Sequence, residues 1–402
     1  MRAAAAVPAG VATLALVAAA CSLAWQTDSP LVPRYGGNVE GSAPWFLVLL
    51  VAAFAAYLVG LAALRSAPAS ARATIVLAVA IQLVPVAAPL LISTDAWSYW
   101  SYGWIGSSGG GNPYSEPPQE FAENPALPWM GSAWLDTTSV YGPAFTAVSE
   151  PLALVAGGSE DVAAWTYKSL AAIAAITAAL LAGRLSGRKA FAIAFVGWNP
   201  VLAIHAAGGG HNDAWVGALI LAALALSASR RLQAAGVMWV LAIALKWVPI
   251  LFLALRAVEA RASGRRTGHR GFASAAVVVA ATATVLYGVS WPLAIFPLAG
   301  NAALETSYAI PHRLEQLGIP GDLAIGFALA AFLGGFAWLL REAGHGRARL
   351  GLAGCLALVT TPYLAVWYLA WAVPLAAADD DSVAIAACLV LCVYLLPQAI
   401  PV

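Results

Sequence analysis

The chain is short of charge. Of its 402 residues, 10% are Asp, Glu, Lys or Arg and 61% are hydrophobic, whereas soluble domains carry about 25% charged residues. That leaves too little polar surface to cover a water-soluble globule, so the chain belongs in a bilayer. No long polar block is present that could form a separate soluble domain. The net charge is +1, and no basic stripe interleaved with aromatics occurs, which argues against a nucleic-acid partner. Cysteine is scarce: Cys21, Cys355, Cys388 and Cys392 all lie in apolar runs, where they read as small lipid- or core-facing residues rather than a disulfide or metal framework. No spaced His/Glu ligand set of the H-E-x-x-H kind appears, and neither a metal nor a cofactor is expected. Short repeats and low-complexity segments are also missing.

What is abundant is apolar runs. They cover about 5–25, 43–64, 72–93, 143–157, 163–183, 190–207, 213–229, 233–255, 272–292, 322–341, 350–364, 365–378 and 383–399. None reads as a strand, and a backbone in lipid must satisfy its own hydrogen bonds, so these are helices. The expected architecture is all-α: one multi-pass transmembrane bundle over 1–402 with about 11–13 membrane helices, some short or re-entrant. The start, Arg2 followed by Ala-rich sequence to Ala20, could pass for a signal peptide, but it reads better as a retained first span.

The basic loops set the orientation. Arg65/Arg72, Arg184/Arg188/Lys189, Arg230/Arg231, Arg256 to Arg270 and Arg341/Arg347/Arg349 all fit the cytoplasmic side. The aromatic loop 94–140 then lies outside. Two runs do not fit simple spans. Residues 143–157 read as a short or re-entrant helix. Residues 232–255, flanked by basic loops and holding Lys246 and Pro249, read as a broken hairpin dipping into the membrane. Irregular backbone at that depth is tolerated only where protein or a water-filled cavity covers it.

Ionisable residues near the membrane are costly and mark function by default. Asp95 ends an outward span and is followed by Trp97, Tyr99, Trp100, Tyr102 and Trp104. It can cap a helix, but it also has the chemistry of a base, and flat aromatics suit sugar faces. Interfacial belts would also use Trp and Tyr. A second centre runs from His205 through Gly208, Gly209 and Gly210 to His211, Asn212 and Asp213. It is either a capped helical hairpin or a glycine nest for phosphate or sugar hydroxyls. Lys246 could snorkel or hold a phosphate as a point charge. In the loop 293–321, Glu305, Tyr308, His312 and Glu315 read mainly as solvated, with Arg313 or His312 able to face a leaving phosphate. The run Asp379-Asp380-Asp381 reads as a solvated loop. If the substrate is a sugar on a membrane lipid phosphate, Asp95 would take the acceptor proton. Lys246, Arg313 and the turn containing His211 would then meet the phosphate.

In order, Asp95-x-x-x-Tyr99, Gly103, Asn112-Pro113-Tyr114, Tyr141-Gly142-Pro143, Asn199-Pro200, Gly209-Gly210-His211-Asn212-Asp213, Lys246 and Trp367-Tyr368 resemble the polyprenol-phosphate-mannose-dependent α-(1→6)-mannosyltransferases of actinobacteria, in the GT-C superfamily. The resemblance covers about 72–378. It implies a multi-pass plasma-membrane enzyme working on the extracytoplasmic side, with a polyprenyl-phosphate-mannose donor and a mannan or lipoglycan acceptor. It maps the catalytic carboxylate onto Asp95. The residues expected to meet sugar or acceptor are Tyr99, Tyr102, Asn112, Tyr114, Tyr141, Asn212, Asp213 and Tyr368. Those expected at the donor phosphate are Lys246, Arg313 and His211. The alternatives are a lipid-linked sugar flippase or transporter, although no two related halves are visible, and a GT-C enzyme using another lipid-phosphate sugar.

Overall fold

The computed structural model describes residues 5–33, 43–66, 70–294 and 306–399; Glu305 lies outside them. No strand occurs among the described residues. The helices are α1 (Ala6–Ser22), α2 (Ala43–Ser66), α3 (Ala71–Leu83), α4 (Asp95–Ser107), α5 (Pro143–Ala156), α6 (Glu160–Leu185), α7 (Lys189–Gly197), α8 (Pro200–Leu202), α9 (Asp213–Ala228), α10 (Leu232–Leu245), α11 (Pro249–Ala262), α12 (His269–Tyr287), α13 (Ile310–Gln316), α14 (Gly321–Gly344), α15 (Leu350–Thr360), α16 (Leu369–Asp379) and α17 (Ser382–Leu395). Among the described residues, five helices are long and apolar enough to cross a membrane, and a sixth counts if the bent pair from Lys189 to Ala207 is one span. Seven shorter apolar helices of 10–17 residues accompany them. This is a multi-pass helical membrane protein. Its core is built where α6 packs on α7 and α9, α9 on α10, α15 on α16, and α16 back on α9. α12 and α14 stand mostly exposed at the margin.

Local chemistry explains the boundaries. Ser159 caps α6 by accepting from the Val162 N–H, Glu160 and Asp161 occupy its first turn, and Arg184 its last, each charge placed to complement the helix dipole. Asn199 caps α8 by accepting from the N–H groups of Val201 and Leu202, with Pro200 at the first helical position, which is where proline is tolerated. The span bends by 40° there and continues as a π-helical turn, Ala203–Ala207.

The expected hairpin at 232–255 is present. Proline at 249 lacks an N–H and so cannot bond the carbonyl four residues back. α10 therefore ends at Leu245, Lys246 is extended, and α11 starts at Pro249. The orphaned Leu245 carbonyl accepts instead from the Gly142 N–H at 3.0 Å. Only glycine permits that approach, because a Cβ at position 142 would sit 2.2 Å from the Ala244 carbonyl oxygen. Within 143–157, Pro143–Ala156 form the short helix α5, as expected.

Both legs of the hairpin return to one arginine-rich end. There Arg184 donates to Ser229 Oγ at 3.1 Å. A cavity of about 1040 Å³ opens among Arg230, Arg256, Arg265 and Arg266. Asp379 is exposed, as the solvated-loop reading expects, and Asp380 and Asp381 are half-buried, yet all three also hold the fold together. Asp379 accepts from the Gly351 N–H at 3.0 Å. Asp380 accepts from Ser186 Oγ, the Gly187 N–H and Arg188 Nε. Asp381 binds Arg349 through both oxygens and caps α17. The turn lies where α6, α7, α15 and α17 end or begin, so unpaired N–H groups and guanidinium groups converge on it.

Candidate active site

Asp95 is the first residue of α4, and its N–H donates to Ser93 Oγ at 3.2 Å. A helix start is a favourable place for a carboxylate. The segment leading to it is tied down at several points. Ile92 has φ +69° and donates to the Leu31 carbonyl at 2.7 Å, while Leu91 donates to the Gly208 carbonyl at 3.1 Å. Lys168, 1% exposed, reaches across from α6 and donates to the carbonyls of Val86 (3.4 Å), Ala88 and Pro89 (3.0 Å). These carbonyls end a short 3₁₀ turn, so the ammonium satisfies acceptors that the turn leaves open.

Asp95 opens onto a cavity of about 240 Å³ that it shares with Trp134, Tyr141, Lys246, Tyr363, Trp367, Tyr368 and Trp371. Asp95 and Lys246 are the charged residues of that lining. Behind Asp95, His211 is wholly buried, with Nδ1 3.3 Å from Asp95 Oδ2. The contact is misaligned for a linear hydrogen bond. The imidazole stacks on Trp367 at 3.7 Å between centroids. The Tyr99 hydroxyl donates to the same carboxylate oxygen at 3.4 Å. Burial pushes the Asp95 carboxyl up, but the His211 contact and charge, the Lys246 charge and Ser93 together outweigh it and hold the group below the usual carboxylate range. Asp95 is thus ionised through neutral pH.

Lys246 stands at the hairpin tip. Its ammonium pairs with Asp213 Oδ1 at 2.7 Å and lies over the faces of Tyr368 and Trp371, 4.8 and 5.3 Å from their centroids. Trp371 Nε1 donates to that same Asp213 oxygen at 2.7 Å. The result is a cation held by Asp213 and an anion, Asp95, on the wall of one small aromatic-lined space.

Of the residues singled out in the sequence, the fold gathers Asp95, Tyr99, Tyr141, His211, Asn212, Asp213, Lys246 and Tyr368. His211 stands behind Asp95 rather than on the cavity wall. The three glycines before it do not form an open nest. The Gly208 and His211 N–H groups are taken by the carbonyls of Ala203 and Ala206, and all three glycines are buried. Their small size instead lets this turn pack on Leu91 and Lys168. Asn212 is buried, with neither amide atom paired among the described residues.

Other residues are used to build the loop above. Tyr102 donates to the Thr137 carbonyl at 2.8 Å. Asn112 donates to the Tyr287 carbonyl at 2.9 Å and accepts from the Tyr114 N–H. The Tyr114 hydroxyl bonds the Tyr141 carbonyl at 2.9 Å. None of these three lines the cavity. Neither does Arg313, which binds Gln316 at 2.7 Å and covers the Tyr308 ring. Sequence reasoning missed Lys168 and the pairing role of Trp371. For Lys168 a signal existed: it is a cation inside an alanine-rich span.

A family model described as "Alpha-(1->6)-mannopyranosyltransferase, N-terminal domain" matches residues 6–262, and one described as "Glycosyltransferase family 87" matches residues 140–397. Alpha-(1->6)-mannopyranosyltransferase A of Corynebacterium glutamicum is 26% identical over 255 residues, which is 58% of this chain and 51% of that protein. The chain thus matches about half the length of this curated relative. No solved structure matches the chain.

Proposed function

The chain belongs to the alpha-(1→6)-mannopyranosyltransferase family, and on that premise we propose that it is a membrane mannosyltransferase. It moves mannose from a polyprenyl-phosphate-mannose donor to a mannan or lipoglycan acceptor, forming an α-(1→6) bond. The observation that carries this reading is the pairing of one carboxylate, Asp95, with one ammonium, Lys246, across a cavity walled by aromatics. The acceptor hydroxyl gives its proton to the Asp95 carboxylate. Its oxygen forms the new bond to the anomeric carbon. The bond to the phosphate oxygen breaks, and the electron pair leaves with the phosphate, facing Lys246. A single displacement of this kind inverts the anomeric centre. His211 and Tyr99 position Asp95, Asp213 positions Lys246, and Tyr141 and Tyr368 offer faces to the sugar.

The whole chain acts as one membrane-embedded unit, with loop 94–140 covering the site. The arginine-rich end faces the cytoplasm, and the Asp95 cavity faces the extracytoplasmic side of the plasma membrane. The test is transfer by the purified full chain from polyprenyl-phosphate-mannose to a short α-(1→6)-mannan, followed by linkage analysis. A new α-(1→6) bond is expected. Asp95→Asn should lose at least about 10²-fold in rate with an unchanged melting temperature. Normal turnover by that variant would place the base elsewhere. Movement of the lipid-linked sugar across vesicles without a new bond would replace the reading with a flippase.

A further inference from the structure

The larger cavity has no part in this chemistry. Its walls come from the last residues of α6, α9, α11 and α16 and the first of α10, α12 and α15. The Asp95 cavity takes Lys246 from the other end of α10, Tyr363 from just beyond α15 and Trp371 from the start of α16, with Asp213 at the start of α9 held behind. The two cavities therefore lie a helix length apart, about 24 Å for the 16 residues of α9.

The lining has two characters. Four arginines, Arg230, Arg256, Arg265 and Arg266, face it against a single lining carboxylate, Asp379. Arg256 also pairs with Glu259. Below them the wall is apolar, with Leu253, Trp239 and Phe272. Arg230 is held at φ +59° just after the end of α9, where a glycine would sit without strain. An L-residue kept there points to a use for its side chain. The cavity also lies at the ends of α6 and α12, two helices long and apolar enough to cross a membrane.

We propose that this cavity binds a phosphate-bearing amphiphile: an anionic phospholipid whose phosphate meets the arginines and whose upper acyl chain lies along Trp239 and Phe272. Basic pockets between membrane helices suit such headgroups, and guanidinium suits phosphate. The occupant bridges both legs of the α10–α11 hairpin at their base. The inference is independent of the sugar chemistry, because binding is read on the protein whether or not it transfers mannose.

The experiment is native mass spectrometry and thermal melting of the full chain in neutral detergent. Phosphatidylglycerol, phosphatidylcholine or inorganic pyrophosphate is added in separate arms. Retention of one phosphatidylglycerol per chain with a raised melting temperature is expected, without either effect from phosphatidylcholine. Saturation by pyrophosphate at the same concentrations would overturn the lipid source in favour of a free phosphate compound. Arg265→Gln with Arg266→Gln should weaken retention at least tenfold. Arg261→Gln with Arg270→Gln, the same charge loss outside the lining, should leave it unchanged. Equal loss in both pairs would mean bulk charge attraction and sink the proposal. Arg230→Gly gives a second reading, because it should raise the melting temperature of the lipid-free protein while lowering retention. Unchanged retention there would remove Arg230 from the site.

Discussion

Two donors meet at one oxygen of the fully buried Asp213, the Lys246 ammonium and the Trp371 indole N–H. Removing one partner of such a pair strands the other charge, at a cost of about 3–5 kcal/mol. Lys246→Met should therefore melt early as well as lose activity. The double variant Lys246→Met with Asp213→Leu should recover much of the melting temperature but none of the rate; recovery of both would make the pair purely structural. At Asp95 the sign of the pH effect is fixed by its neighbours. Its carboxyl is held below the ordinary range with help from His211, so activity persists as pH falls until that depressed value is reached. His211→Leu removes this help, and the acid limb of the kcat/KM profile should move to higher pH. A limb that stays in place would show that His211 does not set the charge of Asp95. Asp95, Lys246 and Asp213 were legible in the sequence as ionisable residues beside apolar runs. The bond from Trp371 was not, because it closes over 158 positions and a tryptophan in an apolar helix carries no local sign of its partner. The contacts of the aspartates at 379–381 were hidden for a related reason: a charge run says nothing about which helix ends surround it.

Among the elements, the α10–α11 break was the most legible, since Pro249 dictates it. Less legible was what receives the freed carbonyl. Gly142 performs that task, and its position in Tyr141-Gly142-Pro143 joins two motifs that are about a hundred residues apart in sequence. Gly142→Ala would set a methyl 2.2 Å from the Ala244 oxygen and force α5 away from α10. A loss of about 1–3 kcal/mol is expected, as for other overpacked contacts, together with a lower rate because Lys246 and Tyr141 separate. The melting temperature and the transfer rate of this variant check both parts. A variant with wild-type values would show that the two helices part without consequence. The loop 94–140 looked like a sugar platform in sequence, but Tyr102, Asn112 and Tyr114 hold it to α4, α12 and, through Thr146, α5. The composition could not separate those two uses, since both call for tyrosine and asparagine.

For the whole molecule, the depth of the proposed reacting centre follows from the length of a hairpin leg. α10 has 14 residues, about 21 Å of helix, and begins at the arginine-rich end. The hydrocarbon layer of a bilayer is about 30 Å thick. With the arginine-rich end at the cytoplasmic face, as proposed, Lys246 stands short of the far surface, and the proposed donor phosphate, resting at the level of its neighbours, would not reach it. On that proposal the leaflet beside the hairpin sinks toward the tip, at a modest cost for each ångström of mismatch. On the proposed reading, the transfer rate gauges membrane thickness. Reconstituted in phosphatidylcholine vesicles of increasing acyl length, with donor and acceptor held constant, it should turn over more slowly as the bilayer thickens. A rate indifferent to thickness would mean that the donor phosphate descends to Lys246 without drawing the surrounding leaflet with it.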